Sequence, residues 1–148
     1  MPDIKCRFQV KAGPEAVEAL LGDFHKVYYL FPAFASAEEA PDGYRWYMKV
    51  PAELEAGAHF LTARILNRNP GMIHWEAVSP TLVWKGDFAW TAQNDRTEIT
   101  LHLEIHDEGL AGSMHEALLS VELPELVRYF QTRCREILET KSWLNGLP

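Results

Sequence analysis

The stretch GMIHWEAVSPTLVWKGDFAW, residues 71–90, places Trp75, Trp84 and Trp90 within sixteen positions. It reads as two consecutive strands. In the second, Leu82, Trp84, Gly86, Phe88, Trp90 and Ala92 share one face, and Val83, Lys85, Asp87, Ala89, Thr91 and Gln93 share the other. In the first, Trp75 lies with Ile73, Ala77 and Ser79. A period of two with large apolar rings on one side marks a half-buried sheet whose inner face needs a cover. Those rings either fill a core or line a hollow that a ligand fills. Gly86, between Trp84 and Phe88, marks a bulge or a close approach.

The same period runs outward in both directions. IKCRFQV puts Ile4, Cys6, Phe8 and Val10 on one face. YRWYMKV does so with Tyr44, Trp46, Met48 and Val50, after a turn at Pro41-Asp42-Gly43. Residues 33–41 form a weak strand, and a long strand runs from about Gly57 to Arg68. Its phase is open: Leu61, Ala63 and Ile65 argue for one register, Phe60 and Leu66 for the other. RTEITLHLEIHDE points Thr97, Ile99, Leu101, Leu103 and Ile105 inward and Glu98, Thr100, His102, Glu104 and His106 outward. Two helical segments separate the first strand from the rest. One starts at Pro14 and carries Val17, Leu20 and Leu21 up to Gly22. The other, capped by Asp23, presents Phe24, Val27, Tyr28 and Phe31. The chain finishes with one long amphipathic helix, from a capping box at Ser113 and Glu116 through Leu119, Leu123, Leu126, Val127, Phe130, Cys134, Ile137 and Leu138. Pro124 should kink or restart it.

The order is thus strand, two short helices, about six antiparallel strands and a long helix, within a single domain over residues 1–148. One sheet and one amphipathic helix must bury their faces on each other. A long twisted sheet curves, and a helix across its concave side fills only part of the hollow.

Composition narrows the function classes. Hydrophobic residues are 47% and charged residues 24%, the mix of a soluble globular chain. A net charge of -7 without a basic stripe argues against nucleic acid as a partner. No apolar run reaches the length of a bilayer span, which argues against stable membrane insertion. No signal peptide is evident, and Cys6 and Cys134 lack any CxxC spacing, which suggests reduced thiols and a cytoplasmic location. Both fall on inward faces and read as small buried hydrophobes. No nucleophile elbow, phosphate loop or dinucleotide fingerprint appears, so the sequence calls for no cofactor. Nor does any Cys/His/Asp group have zinc spacing, so it calls for no metal. His102 and His106 read as part of a solvated face, with His74 beside Glu76 also outward. His25 and His115 belong near a cavity mouth. His59 faces inward in the register set by Leu61 and Ala63.

The pieces FQVKAGPEAVEALLGD, MIHWEAV, GDFAW, RTEITLHLEI and LPELVRYFQTRCREIL, taken together, resemble the START/Bet v 1-like superfamily, also called the polyketide cyclase/dehydrase family. The resemblance implies an α+β helix-grip fold: a curved antiparallel sheet of about seven strands wrapped around a long C-terminal helix, with two short helices after the first strand. It also implies binding or transport of a lipid, quinone or polyketide in a cavity between sheet and helix. Residues 46, 59, 75, 84, 88, 90 and 130 (Trp46, His59, Trp75, Trp84, Phe88, Trp90 and Phe130) are the candidate ligand contacts, and the short helix with Tyr28, Tyr29 and Phe31 is one lip of the entrance. Two alternatives stay open. One is a polyketide cyclase or aromatase, with His59 or Tyr129 as acid or base. The other is a protein-interaction module with a filled core. No catalytic residue is singled out, and a homodimer remains open.

Overall fold

The computed structural model describes residues 3–49, 60–107 and 112–140, with side chains left aside at 107 and 112–122. Seven strands form one antiparallel sheet: β1 (Asp3–Val10), β2 (Phe34–Ala40), β3 (Gly43–Met48), β4 (Phe60–Asn69), β5 (Met72–Val78), β6 (Leu82–Gln93) and β7 (Arg96–Asp107). Their order across the sheet is β1-β7-β6-β5-β4-β3-β2. Helix α1 (Pro14–Leu21) follows β1, and helix α2 (Gly112–Glu139) ends the described chain. The sheet curves, and α2 lies across its concave side against β1 and β7. No described helix is long and apolar enough to cross a membrane.

The alternating patterns became strands with the expected faces. Ile99, Leu101, Leu103 and Ile105 are fully buried on β7. Thr97 is buried with them, its hydroxyl donating to the Ala12 carbonyl at 2.7 Å. On β4 the open register resolves: Leu61 and Ala63 are buried and Leu66 is exposed. A pairing irregularity between Ile65 and Asn67 reconciles the two phases of that strand. The left-handed backbone of Gly43, in the β2–β3 turn, needs a glycine.

One expectation about helices changes, and the choice at Pro124 narrows. The segment after Asp23 is not an α-helix over 23–31; it is a turn followed by a four-residue 3₁₀ helix, Val27–Leu30. Asp23 caps that turn, accepting the His25 N–H at 3.1 Å with its side chain, and the Lys26 and Val27 N–H groups with its carbonyl. The tight turn lets Phe24, Val27, Leu30 and Phe31 all bury at once. Helix α2, in turn, does not restart at Pro124 but continues through it. Proline removes one backbone hydrogen bond there, and the buried row Leu123, Leu126, Val127 and Phe130 holds the helix on the sheet. The capping box at Ser113 and Glu116 lies outside the described side chains.

Candidate functional site

Helix α2 covers the β1–β7 side of the concave face, which leaves the floor over β3 to β6 to be closed otherwise. Phe24 and Phe31, from the turn and the end of the 3₁₀ helix, drop into that space. Phe24 stacks on Trp46 at 5.6 Å between centroids and meets Trp75 edge-on at 5.7 Å. Phe31 stacks on Phe130 of α2 at 5.4 Å, and Phe130 stacks on Phe88 at 5.8 Å. Trp75 touches Trp46 and Phe88 at 5.6 and 5.4 Å. Ring separations in this range are those of favourable aromatic pairs. Trp46, Trp75, Phe88 and Phe130 are therefore brought together, with Phe24 and Phe31, into one continuous buried cluster.

The two central indoles are held differently. Trp46 Nε1 donates to the Phe24 carbonyl at 2.9 Å. Trp75 Nε1 has no acceptor among the described residues. The Trp75 ring lies on its cross-strand partner Gly86, where a Cβ would overlap the indole edge. Of the two readings for Gly86, the structure gives the close approach.

Beside this cluster a cleft of about 570 Å³ opens between α2 and the start of β2. Its walls are Pro32 and Ala33 on one side, Trp84 on the sheet, and Leu123, Leu126, Tyr129 and Thr132 along the helix. Glu125 and Arg128, paired at 2.7 Å, edge it toward solvent. Trp84 is the member of the sequence-derived set on this wall, packed edge-on against Phe31 and Phe34. Trp90 is buried farther along β6, opposite Ile99. His59 lies outside the described residues.

The sequence reading missed Pro32, Ala33, Leu126 and Thr132 as walls of this cleft. Their signal was weak: Pro32 and Ala33 lie between two elements, Leu126 reads only as part of the helix's apolar stripe, and Thr132 reads as an exposed helix position. Of the residues expected at the lip, Phe31 is buried in the core and Tyr29 is tied to α2. Arg133 of α2 donates to the Tyr29 hydroxyl at 2.6 Å and stacks over the Tyr29 and Tyr129 rings at 4.4 and 5.0 Å. The Tyr129 hydroxyl is the main influence holding Arg133 more firmly in its charged form. The 3₁₀ helix beside the cleft is thereby pinned to α2.

The thiols offer no nucleophile at neutral pH. Burial pushes Cys134 far above the usual thiol range, and nearby Cys6 adds to the shift while Arg135 opposes it. Burial also raises Cys6, against hydrogen bonding from Gln131 and Leu101. Both are free cysteines. His25 is exposed and packs on Tyr44 at 5.9 Å, away from the cleft walls. The His115 side chain is outside those described.

No family model matches the chain, and no curated protein does. Solved structures do. A conserved protein from Geobacillus kaustophilus superposes with a TM-score of 0.69 at 13% identity, over 93% of this chain and 95% of that one. The Zhui aromatase/cyclase from Streptomyces sp. R1128 gives 0.61 at 17% identity, over 92% and 95%. The di-domain aromatase/cyclase StfQ of the steffimycin pathway gives 0.66 at 12% identity, with this chain covering 95% of itself but 51% of StfQ. At such identities the likeness is one of fold, and the chain shares the helix-grip fold of these aromatase/cyclases.

Proposed function

We propose that the chain is a START/Bet v 1-like protein that binds a hydrophobic small molecule of lipid, quinone or polyketide type in the cleft between α2 and Trp84. The observation that carries this reading is the cleft itself. Its volume of about 570 Å³ falls in the range of roughly 300–1,000 Å³ typical of small-molecule sites. Its walls are apolar except at the rim, so affinity comes from apolar area removed from water, at ~25 cal/mol per Å². The Tyr129 and Thr132 hydroxyls and the Arg128 guanidinium supply orienting hydrogen bonds. In this arrangement Trp84 touches the ligand. Trp46, Trp75, Phe88 and Phe130 form the rigid floor behind it, Trp90 stays with the core, and His59 remains a proposed contact.

Native mass spectrometry of protein purified from cells tests this, together with tryptophan fluorescence titrations against lipids, quinones and polyphenols. A bound mass and a quench that disappears in Trp84→Phe are expected. No added mass, and no response to any class, rejects the proposal.

A second reading, a polyketide cyclase or aromatase, is favoured by Tyr129, a phenol on the cleft wall stacked beside the Arg133 cation. It supplies a proton donor next to a fixed positive charge, which suits chemistry at an enolisable carbonyl. Under this reading Tyr129→Phe removes turnover of a polyketide substrate and leaves its affinity nearly intact. Loss of both together assigns Tyr129 a binding role instead.

A further inference from the structure

On the outer face of the sheet, strand register brings distant residues side by side. His74, Asp87, His102 and Lys5 form one cross-strand row; Glu76, Lys85, Glu104 and Asp3 form the next. His74 Nδ1 lies 2.5 Å from one Asp87 oxygen, and the other Asp87 oxygen lies 3.7 Å from His102 Nδ1. His102 Nε2 is 3.3 Å from Asp3 Oδ2. Both ring nitrogens of His102 therefore face carboxylates. A neutral imidazole has a single N–H, so one of those contacts sets a lone pair against an anion. Glu104 crowds the same spot: ligand atoms of Asp3, His102 and Glu104 all lie within 4.8 Å of one another. A second ring proton or a bound cation satisfies both contacts, and the cluster of ligand atoms makes the cation the alternative to test.

We propose that Asp3, His102 and Glu104 hold a divalent transition-metal ion, with zinc as the best match, on the outer face of the β1–β7 pair. One imidazole and two carboxylates suit zinc, with water completing the sphere at an exposed position. Asp87 stands behind the ligand histidine. Its second oxygen, 3.7 Å from His102 Nδ1, electrostatically favours the proton on that nitrogen and so leaves the Nε2 lone pair for the metal, and His74 fixes Asp87 from its other side. Lys5 and Lys85 in the same rows oppose the cation and limit its affinity. The ion ties β1, an edge strand among the described residues, to its neighbour β7. Linear spacing hides the site, because Asp3 and His102 are 99 residues apart.

The full chain, stripped with a chelator and dialysed against zinc chloride, is assayed by isothermal titration and elemental analysis. One zinc per chain is expected, with a higher melting temperature that chelator reverses. His102→Ala and Glu104→Gln should lose both effects, and Asp87→Asn should weaken binding about 10–100-fold. His25→Ala, a histidine away from the site, should bind as the parent does. These positions face solvent, so circular dichroism should show each variant folded. Absence of stoichiometric zinc overturns the proposal. So does zinc binding that survives His102→Ala, or a His102 ring that nitrogen NMR shows doubly protonated in saturating zinc.

Discussion

Trp46 Nε1 donates to the Phe24 carbonyl, whereas Trp75 Nε1, equally sealed from solvent, meets no acceptor among the described residues. Replacing either indole by phenylalanine removes similar apolar area, but only at Trp46 does it strand a buried carbonyl. Urea denaturation should therefore find Trp46→Phe costlier than Trp75→Phe by about 1–3 kcal/mol. Equal losses would mean that the Phe24 carbonyl is readily satisfied by something else. Gly86 gives a second prediction at this scale. A methyl group there must displace the Trp75 ring, so Gly86→Ala should destabilise by about 1–3 kcal/mol. In a Trp75→Leu background the same substitution should cost markedly less, because residues in contact couple. An unchanged cost would place the clash elsewhere.

At the scale of elements, α2 meets β1 through thiols as well as rings. Cys134 holds its proton in the folded chain well beyond the pH at which an unfolded thiol releases it. Above the unfolded value of about 8.5, the folded state binds the extra proton, so stability falls as pH rises. The slope from this group is about 1.4 kcal/mol per pH unit, and the contribution is fully present below that value. Denaturation series between pH 8 and 10 should show a shallower decline for Cys134→Ala than for the parent; parallel declines would contradict the burial argument. The elements themselves were largely legible in the sequence. Clean alternation in β1, β6 and β7 fixed strands and faces, because each has one side on the core and one in water. The segment after Asp23 misled because Phe24, Val27 and Phe31 have helical spacing, yet a single turn with Asp23 as its cap buries them equally well. On β4, alternation could not decide the phase, since the pairing irregularity after Ile65 shifts the faces midway. Of the cleft's walls, the expected contact set named Trp84 alone. Pro32 and Ala33 become neighbours of Leu126 and Thr132 through the tertiary packing of two segments distant in sequence, and no periodicity encodes that.

For the whole molecule, the decisive balance is between ring volume and the hollow of a bent sheet. Phe24 and Phe31 occupy the part of the concavity that α2 leaves open over β3 to β6, so the free space moves to the side, between Trp84 and the outer turns of the helix. That displacement separates the residues that stabilise the fold from those that would hold a ligand, and the two can be altered independently. Thr132 is exposed on α2 and contributes to the cleft wall, so a larger side chain there fills space without disturbing the core. Thr132→Trp should weaken binding of a ligand identified by native mass spectrometry by at least about tenfold, or ~1.4 kcal/mol. Its effect on folding should stay within about 0.5 kcal/mol, as for other surface changes. Thr132→Ala, which enlarges the same space, should leave affinity within a few-fold of the parent. If Thr132→Trp binds as tightly as the parent, the ligand sits elsewhere, and the cleft loses its claim to be the site.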